Sequence, residues 1–116
     1  MASVLKVANA VVVTGYSFSN PQQCPAGDQI AVGLNITAVS GTTPSMTVNV
    51  IWTQDGTNYL FSDPADAFSV ISAVTTAVKT FARKGIGFQL LYVLTGTTPS
   101  FTVTATAVPV GSGNTY

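Results

Sequence analysis

A nine-residue segment occurs twice in this chain and limits its fold more than any other feature. It reads Ser40-Gly41-Thr42-Thr43-Pro44-Ser45-Met46-Thr47-Val48 and then Thr95-Gly96-Thr97-Thr98-Pro99-Ser100-Phe101-Thr102-Val103. Seven of the nine positions are identical, and the two glycines stand 55 residues apart, about half the chain. Each copy follows an apolar run and leads into an alternating one, which predicts a tight turn between two antiparallel strands. Glycine supplies backbone freedom, proline fixes φ, and the Thr and Ser hydroxyls can satisfy nearby backbone groups. A duplicated hairpin, one in each of two sheets, is the architecture this predicts. Two copies are too few for a solenoid.

The flanking sequence supports strands. Ile30, Val32, Leu34, Ile36 and Ala38 alternate with smaller or polar residues, as do Met46, Val48, Val50 and Trp52 after the first copy. Period two marks a strand with one buried face. Asp55-Gly56-Thr57-Asn58 predicts a second hairpin turn, with Tyr59-Leu60-Phe61 returning. Ile86, Phe88, Leu90, Tyr92 and Leu94 alternate again, and Leu91 and Val93 make the opposite face apolar too, as in a central or subunit-covered strand. Phe101, Val103, Ala105 and Ala107 give the last strand. Val4–Val7 and Val11–Val13 predict one or two strands at the start.

Three stretches are less regular. Residues 1–5 read as an N-terminal arm, 16–27 as a long loop of the kind that makes contacts, and 111–116 as a flexible C-terminal tail. Residues 65–82 allow two readings. Phe68, Ile71, Val74 and Val78 fall at helical spacings with Asp63 or Asp66 as N-cap, but the Val, Ile and Thr content favours two short strands, about 68–72 and 77–83. The whole predicts one all-β domain over 1–110, an antiparallel β-sandwich or jelly roll of about eight short strands.

Composition bounds the function. Hydrophobic residues make up 47% of the 116 and charged residues 7%, with four basic and four acidic side chains and no net charge. Typical domains carry about 25% charged residues, and a monomer with so few is poorly protected against association. Much of the surface is therefore expected to face protein. A neutral chain is a poor partner for nucleic acid or an anionic membrane, and no apolar run approaches the ~20 residues of a membrane helix. Lys6 and Asn9 interrupt any signal-peptide core, which predicts folding in the cytosol.

The chain offers little catalytic chemistry. Histidine is absent, which excludes Ser-His and Cys-His nucleophile pairs. Asp55, Asp63 and Asp66 sit in turn-like sequence beside Gly or Pro, so turn and cap duty explains them better than glycosidase catalysis. Glutamate is also absent, and Asp55–Asn58 lacks the ligand pattern of a calcium loop. Cys24 has no activating neighbour. No cofactor motif is present, and the chain reads as a non-enzyme. Lys79, Arg83 and Lys84 form the one basic cluster. They read as charges that keep an edge strand soluble, or as contacts to the Asp63 and Asp66 region of a neighbouring copy. Trp52, Tyr59, Phe61 and Tyr92 could form an aromatic platform for sugars, although Trp52 shares the inward alternation of Val48 and Val50.

Ile51-Trp52-Thr53-Gln54-Asp55-Gly56-Thr57-Asn58-Tyr59 and the run from Tyr92 to Val103 resemble small β-sandwich virion structural proteins of tailed bacteriophages. The resemblance covers roughly residues 34–107. It implies a capsid decoration (cement) or head-fibre type of protein that binds the head exterior. Its partners would be the major capsid protein and copies of itself, as a homotrimer. It would be located in the virion, assembled in the bacterial cytoplasm, without nucleic acid or membrane. The resemblance carries over no catalytic residues. The other readings are a carbohydrate-binding module of a tail or fibre, and a neck or tail-tube subunit.

Overall fold

The computed structural model describes residues 5–23 and 29–110. Residues 1–4 of the expected arm, residues 24–27 of the expected loop with Cys24, Asp28, and the tail 111–116 lie outside the described residues, and Leu5, the last residue of that arm, opens a strand. Every regular element among those described is a β-strand: β1 (Leu5–Val13), β2 (Ser17–Phe18), β3 (Gln22–Gln23), β4 (Gln29–Thr53), β5 (Tyr59–Ala67), β6 (Thr75–Ala82) and β7 (Gly87–Val110). All pairings are antiparallel. The sheet runs β1-β7-β4-β5, with β2 and β3 also on β7 and β6 on β4. The chain is all-β and antiparallel, as the alternation predicts.

The repeat does something other than expected. β4 and β7 span 25 and 24 residues and pass through the two copies without reversing. Ile36 pairs with Val103, not with a residue beyond its own copy, and Met46 pairs with Leu94. The two copies pair with each other, Ser40 with Ser100, Thr42 with Thr97 and Ser45 with Thr95. Thr43-Pro44 therefore bulges opposite Gly96, and Thr98-Pro99 bulges opposite Gly41. A bulge bends its strand and sharpens the twist, and it is a place in a sheet where proline is tolerated. The predicted hairpin turns are thus corrected to a reciprocal double bulge. The residues that suit a tight turn also suit a bulge, and only the partner strand distinguishes them.

The backbone repeats as closely as the sequence does. Gly41 and Gly96 have φ of 113° and 114°, and Thr43 and Thr98 both have φ of 46°. Thr43 and Thr98 each donate their hydroxyl to the preceding carbonyl at 2.8 Å. A Cβ on Gly41 would lie 2.6 Å from the Thr98 carbonyl oxygen, and one on Gly96 would lie 2.6 Å from that of Thr43. Each glycine is the space into which the other copy's bulge fits.

A straight strand of 25 residues would be about 80 Å long at ~3.3 Å per residue. The longest dimension of the molecule is 45 Å, so the β4–β7 ribbon must fold over. One arm joins β6, residues 29–36 of β4, residues 101–110 of β7, and β1; the other joins β5, residues 46–53 of β4, residues 87–95 of β7, and β2 with β3. Ile30, Val32, Leu34 and Ile36 of one arm share a single apolar core with Met46, Val48, Val50 and Trp52 of the other. Large residues on one arm (Trp52, Phe88, Tyr92) accompany small ones on the other (Ala105, Ala107), which lets the layers fill space.

The pairing also repeats. The β1–β7 pair corresponds to β5–β4, and β3–β7 corresponds to β6–β4. Equivalent segments paired antiparallel are related by an approximate two-fold axis, here passing between Thr42 and Thr97. Residues 65–82 contain no helix. β5 continues to Ala67, Ile71 makes a single bridge to Met46, and β6 begins at Thr75. Strand content is as the β-branched composition suggests, but in β5 and β6, with only the bridge in the expected strand at 68–72.

Candidate functional site

Asp55 closes the β4–β5 turn. Its carboxylate accepts from the Thr57 and Asn58 backbone amides, both at 2.8 Å, from the Asn58 side chain at 2.7 Å and from the Thr53 hydroxyl at 3.0 Å. Those donors, the backbone ones first, hold its pKa well below the usual carboxylate range. All of these bonds stay inside the turn.

The predicted contact residues are largely engaged within the chain. Asp66 is 3% exposed. It accepts from the Trp52 indole at 2.8 Å and from Lys84, whose ammonium stands 3.0 Å from each carboxylate oxygen. Lys84 also lies over the Trp52 ring, 5.8 Å from its centroid. Lys79 donates to the Ala67 carbonyl at 2.7 Å and sits 5.7 Å from the Phe81 centroid. Arg83 donates to the Gly85 carbonyl, and Asp63 accepts from the Ala65 amide at 2.9 Å. Lys84 and Asp66 thus meet in one chain, not across two. The sequence reading brings the basic cluster to the Asp63 and Asp66 region of a neighbouring copy; that Lys84 meets Asp66 of its own chain, 18 residues away, follows from the folding of β5 toward β6.

Lys79 and Lys84 therefore strap one edge of the folded sheet. β6 belongs to one arm and β5 to the other, and the Phe68 and Phe81 rings pack edge to face at 5.6 Å across the same seam. A surface cleft of about 400 Å³ lies beside it, lined by Val70, Val78 and the Lys79 stem among others.

The opposite edge, between β1 and β2, is built differently. It holds a cavity of about 240 Å³ whose ten lining residues are all uncharged, Val11, Val12, Val13, Phe18 and Tyr92 among them. Bulges after Lys6 and Ala8 and a positive φ of 50° at Ala10 re-aim β1 here, leaving Val11 and Val12 exposed. Phe18 is exposed too and stacks edge to face on Tyr16 at 5.7 Å. Ser19 holds β2's end to β7: its hydroxyl accepts from the Leu90 amide at 2.8 Å. The sequence marks 16–27 only as a long contact-making loop; that residues 17–18 and 22–23 of it pair with β7 was not legible, because residues 16–23 show no periodicity.

Trp52 and Tyr92 are buried, so neither offers a ring face to a sugar. The aromatic platform is corrected to two core residues, with Tyr59 half-buried and Phe61 exposed on the return strand. Among the described residues, no group of three acidic or Cys side chains could hold a metal ion, and no helix is long and apolar enough to cross a membrane. No family model matches this chain, and searches of curated proteins and of solved structures found no match.

Proposed function

We propose that this chain is a non-enzymatic structural protein of a tailed-bacteriophage virion. It is a β-sandwich of the capsid decoration type that binds the head exterior and stabilises it. The observation that carries this is the surface. Eight charged side chains serve 116 residues, and one ion pair within the chain already uses two of them. Meanwhile Val12, Tyr16, Leu60, Val70, Val74 and Val78 are each more than 60% exposed. Exposed apolar side chains with few charges among them suit a protein whose surface is covered in an assembly.

The partners are the major capsid protein and other copies of this chain, as a homotrimer. The mechanism is burial of weakly charged strand faces and of the Tyr16–Phe18 segment across capsid subunits. No nucleic acid or membrane takes part.

Purified protein is expected to bind empty or expanded capsids and to raise their resistance to heat. Quantitative mass spectrometry of virions should then find hundreds of copies. A few to a dozen would move the protein to the neck or tail, and none would end this proposal.

A further inference from the structure

Among the described residues, the folded sheet has four edges that pair on one side only: β1, β5, β6, and the short β2 with β3. An open edge offers a row of backbone donors and acceptors to another strand, and proteins usually blunt it. Three of the four are blunted. β1 is bulged twice and turned at Ala10. β5 shifts register against β4 twice and contains Asp63 and Pro64, and a proline has no amide hydrogen to give. β2 and β3 are two residues each.

β6 has none of these devices. It pairs with β4 at eight consecutive positions, from Thr75 with Ile36 to Ala82 with Gln29, without a bulge. It contains neither proline nor glycine, and its one charged residue, Lys79, is tied across the seam to the Ala67 carbonyl. Its outward row, Thr76, Val78, Thr80 and Ala82, is exposed and uncharged, with Val78 at 76%. The cleft of about 400 Å³ runs beside Thr75 and residues 77–79, so the edge is open to approach.

We propose that β6 is a pairing edge for a second copy of this chain, joined antiparallel across a two-fold axis at Val78. An added strand gains main-chain hydrogen bonds along the edge, and the sequence of β6 argues for this occupant. In a continuous sheet opposed residues share a face, so the axis must pass through a residue. Only axes at Val78 or Lys79 use seven of the eight positions. An axis at Lys79 sets two ammonium groups directly opposite each other, which is destabilising. The axis at Val78 sets Val78 against its own copy, Thr76 against Thr80, Ala77 against Lys79 and Thr75 against Phe81. Threonine and β-branched pairs across strands are favourable, and no like charges oppose. The contact does not rest on the virion reading and is separate from the trimer. It joins two copies, whether single chains or members of neighbouring trimers.

Single-cysteine variants on a Cys24→Ser background test the register. Directly opposed residues of antiparallel strands have Cα atoms about 4.5–5.5 Å apart, within disulfide reach. Val78→Cys is expected to cross-link to a second chain of the same variant on mild oxidation. Thr76→Cys and Thr80→Cys should each cross-link little alone and strongly when the two proteins are mixed. Val78→Lys changes an exposed side chain and should fold as before, but should weaken self-association in sedimentation about tenfold or more, because like charges then oppose. Cross-linking as strong for Thr76→Cys alone as for the mixed pair would overturn the proposal, as would no self-association from micromolar to millimolar concentration. Association unchanged in Val78→Lys, a trimer included, would leave that assembly standing and overturn the pairing at β6. Capsid binding lost in Val78→Lys by a protein that does not self-associate would assign the edge to a capsid strand instead, and would also overturn it.

Discussion

The two edges of the folded sheet share one backbone plan and use it differently. At the β5–β6 edge, Lys79 and Lys84 cross from one arm to the other, Asp66 anchors the crossing, and two phenylalanines fill the seam. At the equivalent β1–β2 edge, no residue lining the cavity is charged, valines are exposed, and a tyrosine hydroxyl is unpaired. Between them lies the bulge pair, where the two halves keep the same residues and the same φ values. Where the backbone allows one solution, the halves have stayed alike. Where it allows several, one edge has become a structural seam and the other an open, apolar surface.

The comparison fails first at the bulges if it is wrong. Gly41→Ala and Gly96→Ala each force a side chain onto the opposing carbonyl at a positive φ, and each should cost about 3 kcal/mol or more. Equal losses by urea unfolding are the expected outcome. A tolerated substitution at either position would show that the two copies are not structural equivalents.

The seam comes next. Asp66→Ala leaves the Trp52 indole and Lys84 without their acceptor and should cost about 3 kcal/mol. Replacing Ser69 by alanine, an exposed side chain beside the same seam, should change stability by less than about 0.5 kcal/mol. If the two substitutions proved equivalent, the seam would not be the structural edge.

The open edge has a signature in alkali. The Tyr92 pKa is raised on folding, so its contribution is complete below the unfolded value near 10 and is lost as pH rises toward about 12. Unfolding free energy should fall by about 2 kcal/mol over that window, and Tyr92→Phe should flatten the fall. The smallest effect belongs to Asp55. Its pKa is depressed, so its contribution is present above the unfolded carboxylate value near 4 and is lost as pH drops below it. Asp55→Asn should lower stability modestly at pH 7, where the carboxylate's contribution is present, and remove part of the acid sensitivity seen by circular dichroism.

Much of this was written in local sequence. The alternation of Ile30 to Ile36 and of Met46 to Trp52 placed the strands and their buried faces, and Asp55-Gly56 placed a turn. The inward reading of Trp52 was right for the same reason: period two fixes the face. The long-range partners were not legible. A Gly-Thr-Thr-Pro segment satisfies the chemistry of a hairpin turn and of a bulge equally, so the continuous β4 and β7 were read as shorter strands. Opposite charge suggested that Lys84 and Asp66 meet across two copies, but nothing local showed that they pair within one chain. Tyr92 read as one of an alternating strand's apolar residues or as part of a sugar platform, and its unpaired hydroxyl is a property of the surrounding space.

The central structural claim is that the two copies face each other across the two-fold. A Thr42→Cys/Thr97→Cys variant, with Cys24→Ser, tests this directly. Directly opposed residues of antiparallel strands have Cα atoms about 4.5–5.5 Å apart, within disulfide reach. Near-complete disulfide formation within the monomer, with the fold retained, is the predicted result. Free thiols after oxidation of folded protein, or cross-links only between chains, would contradict it.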